Sequence, residues 1–554
     1  MRTPADELAE TGLPAGLTPA QHEAVVAPDR VLSVLAGAGT GKTRVLTLRV
    51  ARRVADDSAP AHHTLVTTFS RKAADELRRR LWSLGVEGVV AGTFHRSALA
   101  LVGQHRLDRG AAPPAVLSDR RRTLDRVLED AGFGAPGADR ARRGPRLTPA
   151  QLDVEIGWAK ARLVVPGDYE AEAAAHRRRT TVPTSTVAEL YLRYEERKRR
   201  QRMLDFDDLL WSCADVLEGD PRFADAVRWR FRHLYVDEMQ DVNPAQFRLL
   251  RLLCGDDPDL FVVGDPNQSV YGWNGADPTL LDSLETELPG CRCLRLDENH
   301  RCSPQVVAVA AAALGLGLGQ TAAPTSGRGD GPVPTVVEHE TDAEEARWVA
   351  RQVWRSHRPG RRWGQIAVLA RTNAQLSVVA VALEEAGIPV TMAGADLGPA
   401  SDLRPGGPVD DLAGDRRAER PVDPDDALET PAGPVDGVVL ATFHRAKGLQ
   451  WSAVFVIGLS DGLVPIASAR TPATRDEERR LLYVALTRAE RELSCSWARS
   501  APTPGRARAG GRRPSPWLDA VVETTVELRR RAAVPDTTTS RTRLAELRAR
   551  LATT

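Results

Sequence analysis

The 554-residue sequence has few cysteines, few lysines and few aromatic residues. Its six cysteines are too sparse for a disulfide framework, and the Cys291/Cys293 pair lacks metal-ligand spacing, which favours a structural role. No apolar run approaches the roughly 20 residues of a membrane span, and the first residues lack a signal-peptide pattern. These absences exclude the disulfide-rich secreted and membrane-spanning classes and predict a cytoplasmic protein with no membrane partner.

Lysine is scarce among the 75 basic residues, and the net charge is only +1. The bulk charge therefore gives no sign of a nucleic-acid partner. Arginine is a broad planar fork and lysine a compact point charge, so a chain biased against lysine should keep it where arginine would not serve. Three of the five lysines fall within motifs described below. The five are Lys42, Lys72, Lys160, Lys198 and Lys447.

Short apolar runs alternate with helix-like stretches along most of the chain. This rhythm is typical of an α/β fold with parallel sheets, and the length predicts several domains. The rhythm stops between residues 96 and 204, where a charged, helix-like segment indicates an insertion. The predicted strands cover residues 31–36, 64–69, 233–236, 260–263, 366–369, 438–443 and 453–459.

A glycine-rich turn follows the first predicted strand and opens a predicted helix, the context that a phosphate-binding loop requires. Backbone N–H groups of small residues can close around phosphates, and the helix N-terminus adds positive potential. Lys42 is expected to reach the β- and γ-phosphates, and the Thr43 hydroxyl to bind magnesium. A chance glycine-rich turn is the alternative that this context disfavours. The loop comprises Ala36, Gly37, Ala38, Gly39, Thr40, Gly41, Lys42 and Thr43.

A pair of acidic residues, Asp237 and Glu238, ends the predicted strand at 233–236. A phosphate-binding loop needs a metal-holding acid at the end of a neighbouring strand. Asp237 is expected to hold magnesium through water, and Glu238 to activate the attacking water. Alone, adjacent acids at a strand end are often a solvated turn, but beside the phosphate loop they predict an ATPase site.

A series of further motifs resembles superfamily 1 DNA helicases of the UvrD, PcrA and Rep type over about residues 15–500. Within that family the pattern is most similar to the second UvrD-type helicase of actinobacteria. The motifs are Leu17-Thr-Pro-Ala-Gln21, residues 67–74, Gly92-Thr-Phe-His95, Asp237-Glu-Met-Gln-Asp241, residues 263–268 with Tyr271-Gly-Trp273, Glu298-Asn-His-Arg301, residues 442–449, and residues 483–488.

The resemblance implies two RecA-like P-loop domains with parallel sheets facing one ATP site. A helical insertion (1B) would interrupt the first domain, and the insertion of the second (2B) would be nearly deleted. The expected ranges are 1–95 and 205–285 for domain 1A, 96–204 for 1B, 286–395 and 437–499 for domain 2A, 396–436 for a flexible connector replacing 2B, and 500–554 for an arginine-rich, largely flexible tail with short helices near Trp517 and Leu544.

The resemblance also implies roles around ATP. Arg301 and Arg488 would stabilise charge that develops on the γ-phosphate, where an arginine contributes 10³–10⁵ in rate. Gln268 would link the γ-phosphate to the DNA side. The expected catalytic residues are Lys42, Asp237, Glu238, Gln268, Arg301 and Arg488. The expected adenosine contacts are Gln21, Arg44, His300, which replaces a tyrosine of the family, and Gln450, which replaces a glutamate.

Aromatic residues form only 5% of the chain, yet several lie at or beside the motifs where the family stacks bases. Stacking contributes roughly 1–3 kcal/mol per base and is indifferent to sequence, which suits a motor that passes over any sequence. Burial in the core is the alternative for each aromatic residue. The candidate nucleic-acid contacts are Phe69, Lys72, Thr93, His95, Tyr271, Trp273, His444, Lys447 and Trp451.

These features predict an ATP-dependent DNA helicase or translocase that moves 3′ to 5′ on single-stranded DNA, in DNA repair or replication maintenance. ATP and Mg²⁺ are the expected cofactors, and single-stranded DNA, junctions with duplex and repair proteins the expected partners. The alternative is a DNA-stimulated ATPase subunit of a larger repair complex that unwinds little on its own. A DNA-binding module without hydrolysis is disfavoured because the catalytic set is complete.

Overall fold

The computed structural model describes residues 16–133, 147–316, 324–393, 436–500 and 511–533. These residues form two compact units. The first contains the described parts of Met1–Gly37 and Gly41–Leu296, and the second those of Ala38–Thr40, Asp297–Ala395 and Thr430–Thr554. In the described part of the chain, no helix combines the length and apolar character that crossing a membrane demands.

The first unit is built on a six-stranded sheet in the order β3-β2-β6-β7-β1-β8, with every neighbouring pair parallel. A separate pair, β4-β5, is also parallel. The carboxyl ends of the six strands therefore meet at one edge of the sheet. The strands are β1 Val31–Ala36, β2 Thr64–Thr68, β3 Val90–Thr93, β4 Ala115–Val116, β5 Met203–Leu204, β6 His233–Val236, β7 Leu260–Gly264 and β8 Arg292–Leu296.

Helices cover both faces of this sheet, which explains why its central strands are apolar runs. One core lies on the side of Val34 and Leu46, and the other on the side of Leu65 and Phe94. The helices of the first unit are α1 Pro19–Val26, α2 Lys42–Ala55, α3 Arg71–Ser83, α4 Phe94–Asp108, α5 Arg120–Asp130, α6 Pro149–Ala161, α7 Tyr169–Ala175, α8 Thr184–Gln201, α9 Asp208–Gly219, α10 Pro221–Arg230, α11 Pro244–Cys254, α12 Thr279–Asp282 and α13 Leu284–Glu287.

Helices α5 to α8 form the helical insertion and have a hydrophobic core of their own, which includes Trp158, Tyr169 and Tyr191. Helix α4 is different, since Ala98 and Leu101 pack into a core of the sheet. The insertion therefore starts after α4, later than the expected residue 96, because the apolar face of α4 is needed to cover the sheet.

The second unit contains another six-stranded parallel sheet, in the order β11-β16-β15-β12-β14-β13. Two such sheets confirm the predicted α/β fold class. The strands are β9 Glu298–Asn299, β10 Thr325–Ser326, β11 Thr335–Thr341, β12 Ile366–Ala370, β13 Val390–Met392, β14 Val438–Thr442, β15 Trp451–Val456 and β16 Ala489–Ser500. The helices are α14 Pro304–Ala313, α15 Asp342–Ser356, α16 Asn373–Glu385, α17 Pro472–Leu486 and α18 Leu518–Ala533.

Part of the expected flexible tail belongs to the folded second unit. Helix α18 packs against α14, and Trp517 is buried with the Arg479 guanidinium over its ring. Residues 511–533 are therefore structural, and they include α18, the helix that the sequence predicted near Trp517 within the tail. The helix predicted near Leu544 lies outside the described residues, as do residues 396–435 of the connector predicted at 396–436.

Candidate nucleotide site and nucleic-acid surface

The phosphate-binding loop leaves the carboxyl end of β1 and enters α2 at Lys42. Gly39 and Gly41 have φ of 72° and 89°, so both positions require glycine. The Lys42 ammonium donates to the carbonyl oxygens of Ala36 at 3.1 Å and Gly37 at 3.2 Å. The loop thus holds its lysine at the N-terminus of a 14-residue helix, where a phosphate would also be favoured.

Asp237 follows β6 directly, and its carboxylate accepts a hydrogen bond from the Thr43 hydroxyl at 3.2 Å. Burial, together with the charge of Glu238, raises the pKa of Asp237 to about 7. Glu238 has a φ of 56°, a left-handed conformation that is uncommon outside glycine. The two acids end one strand, but Asp237 is bonded to Thr43 and Glu238 to Gln240. Separate metal-binding and water-activating roles would require such different surroundings.

A chain of hydrogen bonds leads from Glu238 to the motif after β7. The Gln240 amide donates to Glu238 at 2.5 Å, and its oxygen accepts from the Asp265 backbone N–H at 2.9 Å. The Asp265 carboxylate then accepts from Gln268 at 2.6 Å and lies 3.8 Å from the Lys42 ammonium. The sequence interpretation missed Gln240 and Asp265 as linking residues, although both lie inside quoted motifs.

Gln21, expected to read adenine, is buried in α1 and forms a reciprocal capping box with Thr18. Its amide nitrogen would lie only 2.9 Å from a Cβ placed at Gly41, so the glutamine packs against the phosphate loop. Arg44 is exposed on α2 and reaches the Gly16 carbonyl at 3.4 Å. Both side chains therefore lie at the start of the nucleotide-binding elements.

Three predicted base-stacking residues come together at the carboxyl edge of the first sheet. Phe69 follows β2 and stacks on Tyr271, with ring centroids 5.0 Å apart and planes 12° apart. Trp273 is 49% exposed, with its ring 6.5 Å from Tyr271. Lys72 is exposed on α3, the helix after Phe69. Tyr271 lies three residues beyond Gln268, so one short segment joins the nucleotide network to the aromatic cluster.

His95 lies at the next strand end and stacks on Phe206, with ring centroids 4.0 Å apart and planes 13° apart. Burial lowers the pKa of His95 to about 4, so its ring is neutral at neutral pH. Thr93 is the N-cap of α4 and accepts from the Arg96 N–H. The sequence interpretation missed Phe206, which is 37% exposed; its signal was a lone aromatic within the acidic turn 205–208.

The acidic turn is held by a cluster of buried charges. Lys160 of α6 lies 2.7 Å from Asp205 and 2.5 Å from Asp208. Lys198 of α8 lies 2.9 Å from Asp205 and 2.5 Å from Asp208. Glu195 is within 2.9 Å of both ammonium groups. Burial opposes the charge on Lys160, but its carboxylate neighbours raise the pKa of Lys160 well above its usual range.

The second unit brings the two expected catalytic arginines onto neighbouring segments. The Cys302 thiol contacts the Thr487 carbonyl at 3.5 Å, which places the segment after Arg301 beside the one that carries Arg488. Arg488 is almost fully buried and donates to the carbonyl oxygens of Val484 at 2.9 Å and Leu449 at 3.2 Å. In contrast, the Arg301 Nη1 is buried without a hydrogen-bond partner among the described residues.

The remaining candidate residues of the second unit differ in their exposure to solvent. His300 is half-exposed near Glu298, and Gln450 is exposed after β14. His444 and Lys447 lie in the loop after β14, and burial lowers the pKa of His444 to about 4.

Trp451 corrects a prediction. It begins β15 and is only 6% exposed, so its indole belongs to the interior of the second unit and is not available to stack on a base.

Two family models match the chain. The UvrD/REP helicase N-terminal domain covers residues 17–289, and the UvrD-like helicase C-terminal domain covers 294–396 and 426–500. The ATP-dependent DNA helicase UvrD2 of Mycobacterium tuberculosis is 35% identical over 94% of this chain and 83% of the relative, as is that of Mycobacterium bovis. The chain belongs to the UvrD/REP helicase family.

Two further members of the UvrD/REP family are less similar to this chain. The ATP-dependent DNA helicase PcrA of Staphylococcus epidermidis is 29% identical over 68% of this chain and 50% of the relative. PcrA of Staphylococcus aureus gives the same values. The C-terminal family model is interrupted between residues 396 and 426, in the segment between β13 and β14. The family membership confirms the resemblance drawn from the motifs.

Proposed function

We propose that this UvrD/REP family member is an ATP-dependent DNA helicase that moves 3′ to 5′ along single-stranded DNA. The supporting observation is the continuous link within the first unit from the phosphate loop to the aromatic cluster. Lys42 lies beside Asp265, Asp265 is bonded to Gln268, and Tyr271 and Trp273 follow a few residues later. A change at the γ-phosphate can therefore move the rings on which bases stack.

The hydrolytic site supports a division of labour among its residues. Lys42 neutralises the β- and γ-phosphates, and Glu238 orients the water that attacks the γ-phosphate. Thr43 and Asp237 present two oxygen atoms 3.2 Å apart, the hard ligands that magnesium prefers. Magnesium held there would neutralise phosphate charge. Arg301 and Arg488 act on the charge that develops in the transition state.

The DNA track of the proposed motor is formed in the first unit by Phe69, Tyr271 and Trp273, with Phe206 beside His95 at the next strand end. Stacked bases are held without reading their sequence. Lys72 and Lys447 supply positive charge for phosphates, which makes binding salt-dependent. This combination suits repair or replication maintenance, where the sequence encountered is arbitrary.

ATPase and strand-displacement assays on duplexes with a 3′ tail or a 5′ tail test this function. We expect magnesium-dependent hydrolysis that single-stranded DNA stimulates strongly, and displacement only from the 3′ tail. Lys42→Ala and Glu238→Gln should each abolish turnover, the second while ATP still binds. Stimulated hydrolysis without displacement from either tail would favour the motor subunit of a larger complex. ATPase activity that ignores DNA would contradict the coupling.

A further inference from the structure

A second concentration of aromatic and basic residues lies outside the helicase motifs, in Trp354-Arg-Ser-His-Arg-Pro-Gly-Arg-Arg-Trp363. This segment, named here the Trp–Arg segment, leads from the end of α15 to the start of β12. Its ten residues contain two tryptophans, a histidine, four arginines and no carboxylate. Aromatic residues interleaved with arginines are typical of surfaces that bind single-stranded nucleic acid.

The aromatic rings of the Trp–Arg segment form a ladder that ends in solvent. His357 stacks on Trp363, with ring centroids 3.7 Å apart and planes 7° apart. Trp363 packs against the core of the second sheet and lies 5.8 Å from Trp354. Trp354 is 58% exposed. The inner rings thus fix an indole whose outer face is open to a further planar group, such as a base.

The arginines of the segment divide into two groups. Arg361 donates to both carboxylate oxygens of Glu492, at 2.9 and 3.0 Å, and Arg358 lies 3.5 Å from the same residue. Both are thus engaged by a carboxylate, Arg361 through a bidentate pair and Arg358 at the exposed edge of the same pair. Arg355 and Arg362 are exposed, and no carboxylate among the described residues pairs with either of them. Their positive charge is therefore available to a ligand that carries negative charge.

Another exposed tryptophan shows that an exposed indole is not always accompanied by arginines that lack a carboxylate partner. Trp82 is 71% exposed at the end of α3. The arginines before it are already engaged, since Arg79 and Arg80 both pair with Glu76. Trp82 therefore has no unpaired arginine on the preceding turn and serves as a matched control.

The Trp–Arg segment is remote from the helicase motif of its own sheet. It precedes the amino end of β12, whereas the motif with His444 and Lys447 follows the carboxyl end of β14. Because β12 and β14 are parallel neighbours, the two lie at opposite edges of the sheet. A five-residue strand separates them by roughly 16 Å.

We propose that the Trp–Arg segment is a second binding site for single-stranded DNA, separate from the surface formed by the helicase motifs. A base stacks on Trp354, and Arg355 and Arg362 hold the flanking phosphates. The site adds contacts for a strand that extends beyond the motor and does not take part in hydrolysis. It goes beyond the proposed function, because the motor requires no such contact.

Affinity measurements with oligothymidylates about 10 and about 40 nucleotides long test the proposal, since the shorter strand can occupy one site only. Trp354→Ala should weaken binding of the longer strand roughly tenfold, the loss of one stacked base, and leave the shorter strand unaffected. Arg355→Gln with Arg362→Gln should lower the slope of log affinity against log salt by about 1.4, since each single-strand phosphate contact contributes about 0.7. Trp82→Ala should change neither quantity.

Two results would overturn the proposal. The first is that Trp354→Ala weakens binding of the short and the long strand equally, or does not weaken binding of the long strand. The second is an indole at Trp354 that is shielded from N-bromosuccinimide before DNA is added. The occupant could then be the chain's own segment 394–435, which has ten carboxylates and four arginines and precedes Asp436, bonded to the backbone N–H groups of Trp363 and Gly364.

The short oligonucleotide keeps this test separate from that of the proposed function. Stimulation of hydrolysis by the short strand reports on the helicase motifs alone, and Trp354→Ala should leave its maximum unchanged. A failure of that stimulation in the unaltered chain would count against the proposed motor and leave the second site to be judged by the longer strand.

Discussion

Arg301 and Arg488 have the same proposed task but different surroundings, and this difference predicts different consequences of their removal. Arg488 satisfies backbone carbonyls inside the second unit, whereas Arg301 keeps a buried Nη1 without a partner among the described residues. Arg301→Ala should reduce turnover about 10³-fold or more and barely change unfolding. Arg488→Ala should reduce the turnover and also the free energy of unfolding. The loss of stability should be a few kcal/mol, because buried carbonyl groups are left without a donor.

Steady-state kinetics with saturating single-stranded DNA and thermal unfolding of each variant check this prediction. The KM for ATP should rise much less than kcat falls, because the proposed role of both arginines is to stabilise charge that develops only in the transition state. An equal change in KM and kcat would show that they are ground-state contacts. A stability loss for Arg301→Ala as large as that for Arg488→Ala would contradict the structural distinction.

Lys160 and Lys198 show that some of the few lysines in this chain have a structural role that arginine would not fill. They are the two lysines outside the helicase motifs, and they meet in one buried cluster with three carboxylates. A compact ammonium can donate to three separate oxygens in a confined space, whereas a planar guanidinium suits two oxygens of one carboxylate. The same reasoning that predicted functional lysines from their rarity therefore also identifies a structural pair.

Lys160→Met should destabilise the first unit by about 3–5 kcal/mol, because it leaves the three carboxylates of the cluster with Lys198 in place of two ammonium groups. Lys160→Arg should also destabilise it, since the longer, planar group does not fit where 2% of the lysine is exposed. Denaturant unfolding measures both. Lys72→Met is the control and should lie within about 0.5 kcal/mol of the unaltered chain, because Lys72 is exposed. A neutral Lys160→Arg would refute the geometric argument.

At the scale of the elements, the sequence predicted seven of the eight central strands of the two sheets, all except β16, and missed the edges. The seven apolar runs correspond to β1, β2, β6, β7, β12, β14 and β15. The strands it did not predict include β3, β8, β11 and β13, which are the four edge strands of the two sheets. An edge strand is covered less completely, so it carries fewer apolar residues; β11 alternates between exposed and half-buried positions along most of its length.

The candidate site divides in a similar way. Local sequence patterns made two parts of the site predictable. The phosphate loop is a strand followed by glycines and a helix, and Asp237 is an acidic residue at the end of an apolar strand. Contacts between distant segments were not predictable, because no sequence pattern joins Phe206 to His95 or Gln240 to Asp265. Trp451 was misassigned because its position next to a motif says nothing about which face of β15 it occupies.

Helix α18 leads to a prediction about the tail. Trp517 is 7% exposed and lies under Arg479, and Leu518 and Val521 are also buried. Trp517→Ala should therefore cost about 3–5 kcal/mol of stability in the second unit, as for other large buried aromatic residues. Thermal unfolding checks it against Trp82→Ala, the exposed counterpart. An unchanged midpoint for Trp517→Ala would show that α18 does not stabilise the second unit.

For the whole molecule, residues 393–437 connect β13 to β14, and the family resemblance predicts that this short connection replaces a 2B insertion. Opening duplex DNA costs on average about 1.4 kcal/mol per step, a small amount for an ATP-driven motor. Binding of the protein to the junction between single-stranded and duplex DNA is therefore expected to limit unwinding. Movement along a single strand needs only the helicase motifs and should not share this limit.

We therefore expect efficient release of streptavidin from a 5′-biotinylated single strand, and strand displacement from a 3′-tailed duplex that weakens as salt rises. Removing residues 534–554, which contain four arginines, should weaken displacement and reduce its salt dependence while α18 stays intact. A cut at residue 500 would confound the test, because it also removes Trp517. Displacement indifferent to salt and to this truncation would contradict a role for the tail, and release from the 3′ end would contradict the polarity.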